Sequence, residues 1–295
     1  MNVFFLSLRQ ETPMRGYWDY GFLEDFISGN MWKPDNFPVF EVREVHRLPK
    51  DDVAIVVLPA RHHRNLEEEL NKELSRIKKV VLFLMGDEEA EFKVEEIQHD
   101  NIDIWIQNPH PGRHDQYNKI GTGYPPQSQE ILPTLKPKKD LNLYFSGQIT
   151  HDRRVEMIGV LNHYESEIGK SQVNSTKGFT QGVDHKTYYE GMVRAKAAPA
   201  PSGAVIPDSF RLFEGLESMA VPIADEKSPD GKIDNYWDWL FGETVPFPRL
   251  IQWDRLYGIM HDILENYPKD MHQITCWWIA KKREFAYKVC EQLNG

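Results

Sequence analysis

The sequence predicts an α/β protein made of two doubly wound parallel-sheet domains facing a cleft. Three observations carry this expectation. Short, continuous apolar runs rich in β-branched residues recur through the first half. A stretch of helical periodicity separates two of them. A proline-rich segment then breaks the pattern, which restarts beyond it.

Residues 3–8 open the first strand. Residues 53–58 (VAIVVL), 80–85 (VVLFLM) and 102–106 (IDIWI) supply three more. Unbroken apolar runs of this length suit strands buried on both faces, as in parallel sheets. Within residues 64–79, Leu66, Leu70, Leu74 and Ile77 recur at helical spacing with charges between them. Strand, helix, strand in this order is the α/β signature. Residues 124–140 (YPPQSQEILPTLKPKKD) hold four prolines and few apolar side chains, a linker composition. Beyond it come a strand at 141–145 (LNLYF) ending at Ser146 and Gly147, helices at 153–164, 188–196 and 211–220, and a short buried strand at 221–224 (VPIA). A terminal helix over 274–293 carries Trp277, Trp278, Ala286 and Val289. The expected division is a first domain over 1–125, a linker over 126–140, a second domain over 141–268 and a terminal helical segment over 269–295.

Composition agrees with two ordinary domains. The chain has 295 residues, 40% of them hydrophobic and 12% aromatic, enough for full cores and too many for a disordered chain. The formal net charge of -10 excludes a broad basic footprint for nucleic acid and leaves room only for a local basic groove. No apolar run approaches 18 residues, so no membrane span is expected. The first residues lack a basic segment and a cleavage site, so a secretory leader is not expected. Cys276 and Cys290 stand 14 residues apart in one helical stretch. At about 1.5 Å per residue they lie roughly 20 Å apart, against the limit of about 7 Å for a disulfide. Reduced thiols and a cytoplasmic location are expected. There is no CxxC or HExxH spacing to hold zinc, and no metal is expected.

The chemistry concentrates in residues 197–224 (AAPAPSGAVIPDSFRLFEGLESMAVPIA). A run of small residues ends in a Pro201-Ser202-Gly203 loop. Asp208 and Ser209 then offer an N-cap, and a helix begins. Helix N-termini present free N–H groups and the positive end of a dipole, which suits a diphosphate. Arg211 adds a cation in the first turn, where it opposes that dipole and so asks for a reason. Glu214 stands where a carboxylate can chelate a ribose diol. Earlier, Gly147 ends a strand and admits close approach of a ligand to backbone. Arg153 and Arg154 follow it, and a guanidinium can grip phosphate in a bidentate way.

These residues carry a family likeness. Tyr144-Phe145-Ser146-Gly147 with Arg153 or Arg154, then Pro201-Ser202-Gly203, Asp208-Ser209, Arg211-Leu212-Phe213-Glu214, Val221-Pro222-Ile223, and later Pro246-Phe247 and Trp253, resemble the donor domain of exostosin-type glycosyltransferases. The likeness spans roughly residues 141–255. It implies a GT-B fold of two Rossmann-like domains, with the C-terminal helix crossing back to the first. It implies a transferase that uses a nucleotide sugar, a UDP-sugar, as co-substrate and needs no resident cofactor; no DxD-type metal pair stands at a strand end in the second half, so the transfer is expected to be metal-independent. Arg153 or Arg154, Arg211 and Glu214 would then bind the donor, with Gly147 and Ser209 beside them. The chain departs from the family at Ala197 and Ala198, where a cysteine is usual, and at Met219, where glycine is usual.

The first half supplies candidates for a base. Asp87 follows the 80–85 strand, His62 and His63 follow the 53–58 strand, and Asp19 lies in an aromatic loop after the first strand; carboxyl ends of parallel strands are where ligands bind. An inverting transfer needs a base near the acceptor hydroxyl. Tyr17 and Trp18 offer a stacking platform for an acceptor, and His63 and His114 line the same edge. A glycan or small-molecule acceptor is the default. A hydroxymethylated DNA base stands as the alternative, met by a local basic rim of Arg61, His62, His63, Arg64, Arg113 and His114. A non-catalytic nucleotide-sugar-binding protein on the same scaffold is the rival reading.

Overall fold

The structure, a computed structural model, describes residues 1–9, 18–29, 37–176, 178 and 181–295. The protein is α/β and divides into two compact units, one comprising Met1–Pro126 and Ala280–Gly295, the other Gln127–Ile279.

In the first unit the described strands are β1 (Asn2–Leu6), β2 (Glu41–Val45), β3 (Asp51–Pro59), β4 (Ile77–Met85), β5 (Ile102–Gln107) and β6 (Asn118–Ile120). They form one sheet in the order β2-β1-β3-β4-β5-β6, with every pairing parallel. Ile55 lies opposite Val3 on one side and Val81 on the other. One face of the central strands, with Phe4, Val56, Leu58, Leu82 and Leu84, packs with Leu70 and Leu74 of α2 (Glu67–Leu74). Phe83 and Trp105, one residue out of phase with these, meet Phe285 at 6.1 and 5.0 Å between ring centres. Phe285 also packs on Phe22 and Phe26 of α1 (Gly21–Ser28) at 5.1 and 5.2 Å. Both faces are therefore covered, which is why these strands read as continuous apolar runs rather than alternating ones. Each fully buried aliphatic side chain contributes about 1.5–3 kcal/mol.

In the second unit the described strands β7 (Leu141–Gln148), β8 (Ser171–Thr176), β9 (Ala195–Ala200), β10 (Val221–Asp225) and β11 (Arg249–Leu250) form a parallel sheet in the order β11-β10-β9-β7-β8. Its helices are α3 (Pro126–Ile131), α4 (Asp152–His163), α5 (Glu165–Ile168), α6 (His185–Arg194), α7 (Phe210–Glu217) and α8 (Tyr236–Phe241). α9 (Leu256–Asn294) runs for 39 residues, and its last segment, from Ala280, belongs to the first unit. The sequence predicts this helix only from 274; the structure begins it at Leu256 and carries it through Pro268. The stretch read as linker contains α3, which opens on Pro126, a residue whose missing N–H costs nothing in a first turn.

The two sheets share a topological feature. From β1 the chain moves to one neighbour, β2, and then returns to the other side with β3; β7, β8 and β9 repeat this. Such a reversal opens a crevice at the carboxyl ends of the strands. In the second sheet the pairing beside the reversal ends early. β9 pairs with β7 at Leu141↔Ala195 and Leu143↔Ala197, and the register stops before Pro199, which has no N–H to give.

Lys139 anchors the segment before β7. Its ammonium donates to the carbonyls of Ala195 at 2.9 Å and Ser218 at 2.8 Å, which end α6 and α7. Burial lowers its pKa to about 7. α7 ends in a Schellman arrangement: Ala220 N–H donates to Gly215 and Met219 N–H to Leu216. Met219 holds the left-handed position of that motif with φ 53°, the place where the resembled family has glycine. Its side chain is exposed, so little packing is at stake. Met219→Gly should raise unfolding stability by about 1 kcal/mol, read from the urea midpoint at constant slope.

Candidate functional site

The carboxyl edge of the second sheet gathers the residues that the sequence singles out in this half. Arg211 in the first turn of α7 lays its guanidinium against the end of β7. A Cβ placed on Gly147 would stand 2.0 Å from Arg211 Nη2, so only glycine leaves room for the guanidinium there. Arg211 Nε donates to the Ser146 carbonyl at 3.1 Å, and Cζ lies 5.4 Å from the centre of the Phe145 ring. Among the described residues Arg211 makes no other hydrogen bond and no ion pair. A half-buried cation at the positive end of a helix is unfavourable by itself. An anion shared by the guanidinium and the free N–H groups of α7 would reverse that sign. Ser209 occupies the N-cap position, but its hydroxyl donates to the Pro201 carbonyl at 3.0 Å instead of capping the helix.

Arg153 and Arg154 have separate tasks. Arg153 is bidentate on Asp225, a fully buried carboxylate at the end of β10, and also reaches the Ile251 carbonyl at 3.0 Å. Asp225 accepts in addition from Trp253 Nε1 at 3.3 Å and from the Ser202 N–H at 3.4 Å. This network ties α4 to the ends of β9 and β10. Arg154 is buried and binds carbonyls: Nε and Nη2 donate to Ser202 at 3.1 and 2.8 Å, and Nη1 to Gln148 at 2.8 Å. It thus bridges the ends of β7 and β9 across the topological reversal. His151 meets the same Ser202 carbonyl through Nε2 at 3.2 Å. Burial, then the neighbouring Arg154, lowers its pKa, which favours the neutral ring.

Glu214 is buried, and both of its oxygens are engaged. Tyr188 donates to Oε2 at 2.6 Å and Tyr189 to Oε1 at 3.0 Å. Burial raises the Glu214 pKa, against the lowering effect of these hydroxyls and of Arg211. A ribose diol reaching this carboxylate has to displace a tyrosine hydroxyl, and Tyr188, half-buried, is the more accessible of the two. Just past β10, Glu226 is also buried; among the described residues neither of its oxygens has a hydrogen-bond partner, Arg249 Nε lies 3.7 Å from Oε2, and desolvation pushes its pKa up to about 7.

The carboxyl edge of the first sheet is organised by a residue that the sequence reading passed over. Gln107 ends β5 and is fully buried. Its Oε1 accepts from the Gly86 N–H at 2.9 Å, and its Nε2 donates to the carbonyls of Asp19 at 2.8 Å and Thr122 at 2.9 Å. Three loops that follow different strands are thereby fastened together. Asp19 points its carboxylate at Gly86, where a Cβ would stand 2.8 Å from Oδ2 and where φ is +71°. Among the described residues that carboxylate has no hydrogen-bond or ion-pair partner. Burial, then Glu88, raises its pKa to about 7, with Arg61 opposing.

The other candidates of this half are held by protein partners. His63 is fully buried; Nδ1 meets the Pro59 carbonyl at 2.8 Å, and Nε2 accepts from the Leu8 N–H at 3.0 Å. It closes the gap between the ends of β1 and β3 as a neutral ring, its pKa lowered first by burial. Asp87 accepts from Arg64 Nε at 3.1 Å and from the Phe92 N–H at 2.8 Å, which shapes the loop after β4. His114 is buried, accepts from the His110 N–H at 2.9 Å, and has its pKa lowered to about 4 by burial and then by His110. His62 is half-buried, with its pKa lowered by burial and then by the arginines around it. Trp18 is half-buried in a 3-10 turn, Trp18–Tyr20. Tyr17 lies outside the described residues. The basic rim is internally neutralised: Arg61 pairs with Glu89 at 2.7 Å, Arg64 with Asp87, Glu89 and Glu91, and Arg113 approaches Glu95 at 3.9 Å.

The chain matches no protein-family model and no curated protein. Among the described residues no three His, Cys, Asp or Glu side chains come together to hold a metal ion, and no helix is long and apolar enough to cross a membrane.

Two stability measurements test this description. Arg153→Ala strands a buried carboxylate and should cost about 3–5 kcal/mol, most of it recovered when Asp225→Asn is added. Asp19 keeps its proton longer in the folded protein than in the unfolded chain. Stability is therefore lost as pH rises from about 4 to about 7. Asp19→Asn removes this dependence. Its advantage over wild type should be absent near pH 4, grow with pH and level off above 7 at about 2 kcal/mol, after allowance for solvent screening.

Proposed function

We propose that the protein is a GT-B glycosyltransferase that moves a sugar from a nucleotide-diphosphate sugar, a UDP-sugar, to an acceptor hydroxyl. The observation that supports this most is Arg211, a guanidinium with a carbonyl as its hydrogen-bond partner, seated against Gly147 at the reversal point of a doubly wound sheet. In this reading the diphosphate lies between Arg211 and the first N–H groups of α7. Arg154 holds the ends of β7 and β9 apart at the right spacing, and Ser209 fixes the Pro201 carbonyl beside them. Arg153 acts at one remove, by bracing Asp225. The ribose reaches Glu214 by exchanging its hydroxyls for that of Tyr188.

The chemistry follows from charge. As the glycosidic bond to phosphate breaks, negative charge grows on the departing diphosphate. Donors already aimed at that charge stabilise the transition state more than the ground state. A guanidinium fixed by Gly147 and Phe145 needs little reorganisation to do this.

A thermal-shift panel of UDP-sugars tests the reading. At 100 times the dissociation constant, a ligand that binds only the folded form stabilises it by about 2.7 kcal/mol. Wild type and Arg255→Ala, an exposed arginine outside the site, should show the full shift. Arg211→Ala should lose it, and Gly147→Ala should weaken it at least tenfold by driving the guanidinium from its seat. Equal shifts in wild type and Arg211→Ala would sink the diphosphate assignment. A full shift without any transfer or UDP release would make the protein a binder rather than an enzyme.

A further inference from the structure

A groove of about 380 Å³ runs between α5 (Glu165–Ile168) and the first turns of α9. Small-molecule sites usually enclose about 300–1,000 Å³, so the groove is large enough for one. All of its lining belongs to the second unit. α5 leads into the start of β8, which puts the groove toward the amino end of that strand, whereas Arg211 lies against the end of β7 at the carboxyl edge. The groove has no part in the transfer reading and does not depend on it.

Its residues sort by chemistry. Ile168, Met260 and Leu264 give an apolar floor, and the first two are buried. Tyr257 stacks on Tyr164, with 4.8 Å between ring centres and 19° between planes. That contact takes one face of the ring, which is still 38% exposed and lines the groove. Each helix then adds an exposed carboxylate, Glu167 from α5 and Glu265 from α9. Neither has an ion-pair partner among the described residues. Ser166 donates to Glu167 Oε2 at 2.7 Å and lowers the Glu167 pKa, which keeps the carboxylate ionised at neutral pH. Lys170, two residues past α5, is committed to Asp140 at 3.0 Å. Lys269, one turn beyond Glu265, makes no ion pair with it among the described residues. His261 completes the lining, its Nδ1 4.0 Å from Asp262.

We infer that this groove binds a small organic cation: an ammonium head held by Glu167, Glu265 and the Tyr257 ring, on an aryl or alkyl body that covers Met260 and Leu264. The sign follows from the lining. An anion would meet two carboxylates with no free cation among the lining residues. A neutral apolar body would cover the floor and leave both carboxylates unanswered. A cation with an apolar body satisfies the floor, the carboxylates and the negative face of the tyrosine ring together. Each exposed charge contributes little by itself, so the affinity comes from the sum and is modest.

The test titrates the full chain, carrying 13C at its methionine methyl groups, with phenethylammonium. 2-Phenylethanol serves as the neutral match and 3-phenylpropionate as the anionic one. The Met260 signal, assigned with Met260→Leu, reports on the groove. Phenethylammonium should shift it with a Kd on the order of 1 mM at about 20 mM salt, the alcohol should bind about fivefold more weakly, and the propionate should leave it unmoved. Glu167→Gln, Glu265→Gln and Tyr257→Ala should each weaken the cation about threefold, and the two glutamine changes together about tenfold. All three side chains are exposed, so the thermal midpoint without ligand should hold. Glu291→Gln, at an exposed glutamate of α9 outside the groove, should change nothing. Raising salt to about 300 mM should weaken the cation and spare the alcohol. A Met260 signal unmoved by about 30 mM phenethylammonium overturns the site. Equal affinity for the alcohol, or an unchanged affinity in the double glutamine variant, overturns the cation. An unchanged affinity in Tyr257→Ala overturns the part given to the ring.

Discussion

A positive charge set against the positive end of a helix is the constraint around which the second unit is arranged. Arg211 opposes the α7 dipole, and among the described residues it has no ion pair, only a hydrogen bond to the Ser146 carbonyl and a through-space attraction to the buried Glu214. Several features hold it there nonetheless. Gly147 gives up its side chain, Phe145 offers a ring face, and the Ser146 carbonyl takes Nε. The early end of the β7–β9 ladder at Pro199 loosens the sheet at the same point. The missing side chain of Gly147 and the shortened ladder are small losses for folding, partly offset by the ring face and the hydrogen bond. Together they leave a guanidinium aimed at space that an anion would complete.

The first unit shows the same economy with the opposite sign. Asp19 is an open carboxylate whose ionisation destabilises the fold, and Gln107 is the means of keeping it in place. Around it the protein settles its other charges among themselves. Arg64 meets Asp87, Glu89 and Glu91, and His63 satisfies both ring nitrogens within the sheet edge. Arg64 and His63 are thus spent on the protein's own structure, while the Asp19 oxygens have no hydrogen-bond or ion-pair partner among the described residues.

Much of the framework was legible in the sequence because burial on two faces leaves a plain trace. The strands at 53–58 and 80–85 lie within β3 and β4, and Leu70 and Leu74 face the core as their spacing implies. The edge strands β2 (EVREV) and β8 (SQVNST) were not legible. Their hydrogen bonds come from neighbours, and their side chains need not be apolar. The start of α9 was hidden by Pro268 and α3 by its own prolines, since a breaker is tolerated where the surrounding structure outweighs it. At the sites, Arg211 was visible from its position in a helix start. The roles of Arg153, Asp87 and His63 were not, because Asp225, Phe92 and Leu8 stand far away in sequence or give only backbone atoms. Gln107 shows little more than a polar residue at the end of an apolar run; its three partners come from loops after three other strands.

Phe285, from the last turns of α9, sits in the aromatic cluster beneath the first sheet, and Gln292 accepts from Trp105 Nε1 at 2.8 Å. The unit whose residues leave the ribosome earlier therefore lacks part of its own interior until residues 280–295 have been made. Its opening six strands must wait, with Phe22, Phe26 and Trp105 uncovered, while the whole of the other unit is made. Loss of residues 280–295 would thus strike the unit of residues 1–126, far from the cut in sequence, and leave an apolar surface for chaperones or aggregation to claim.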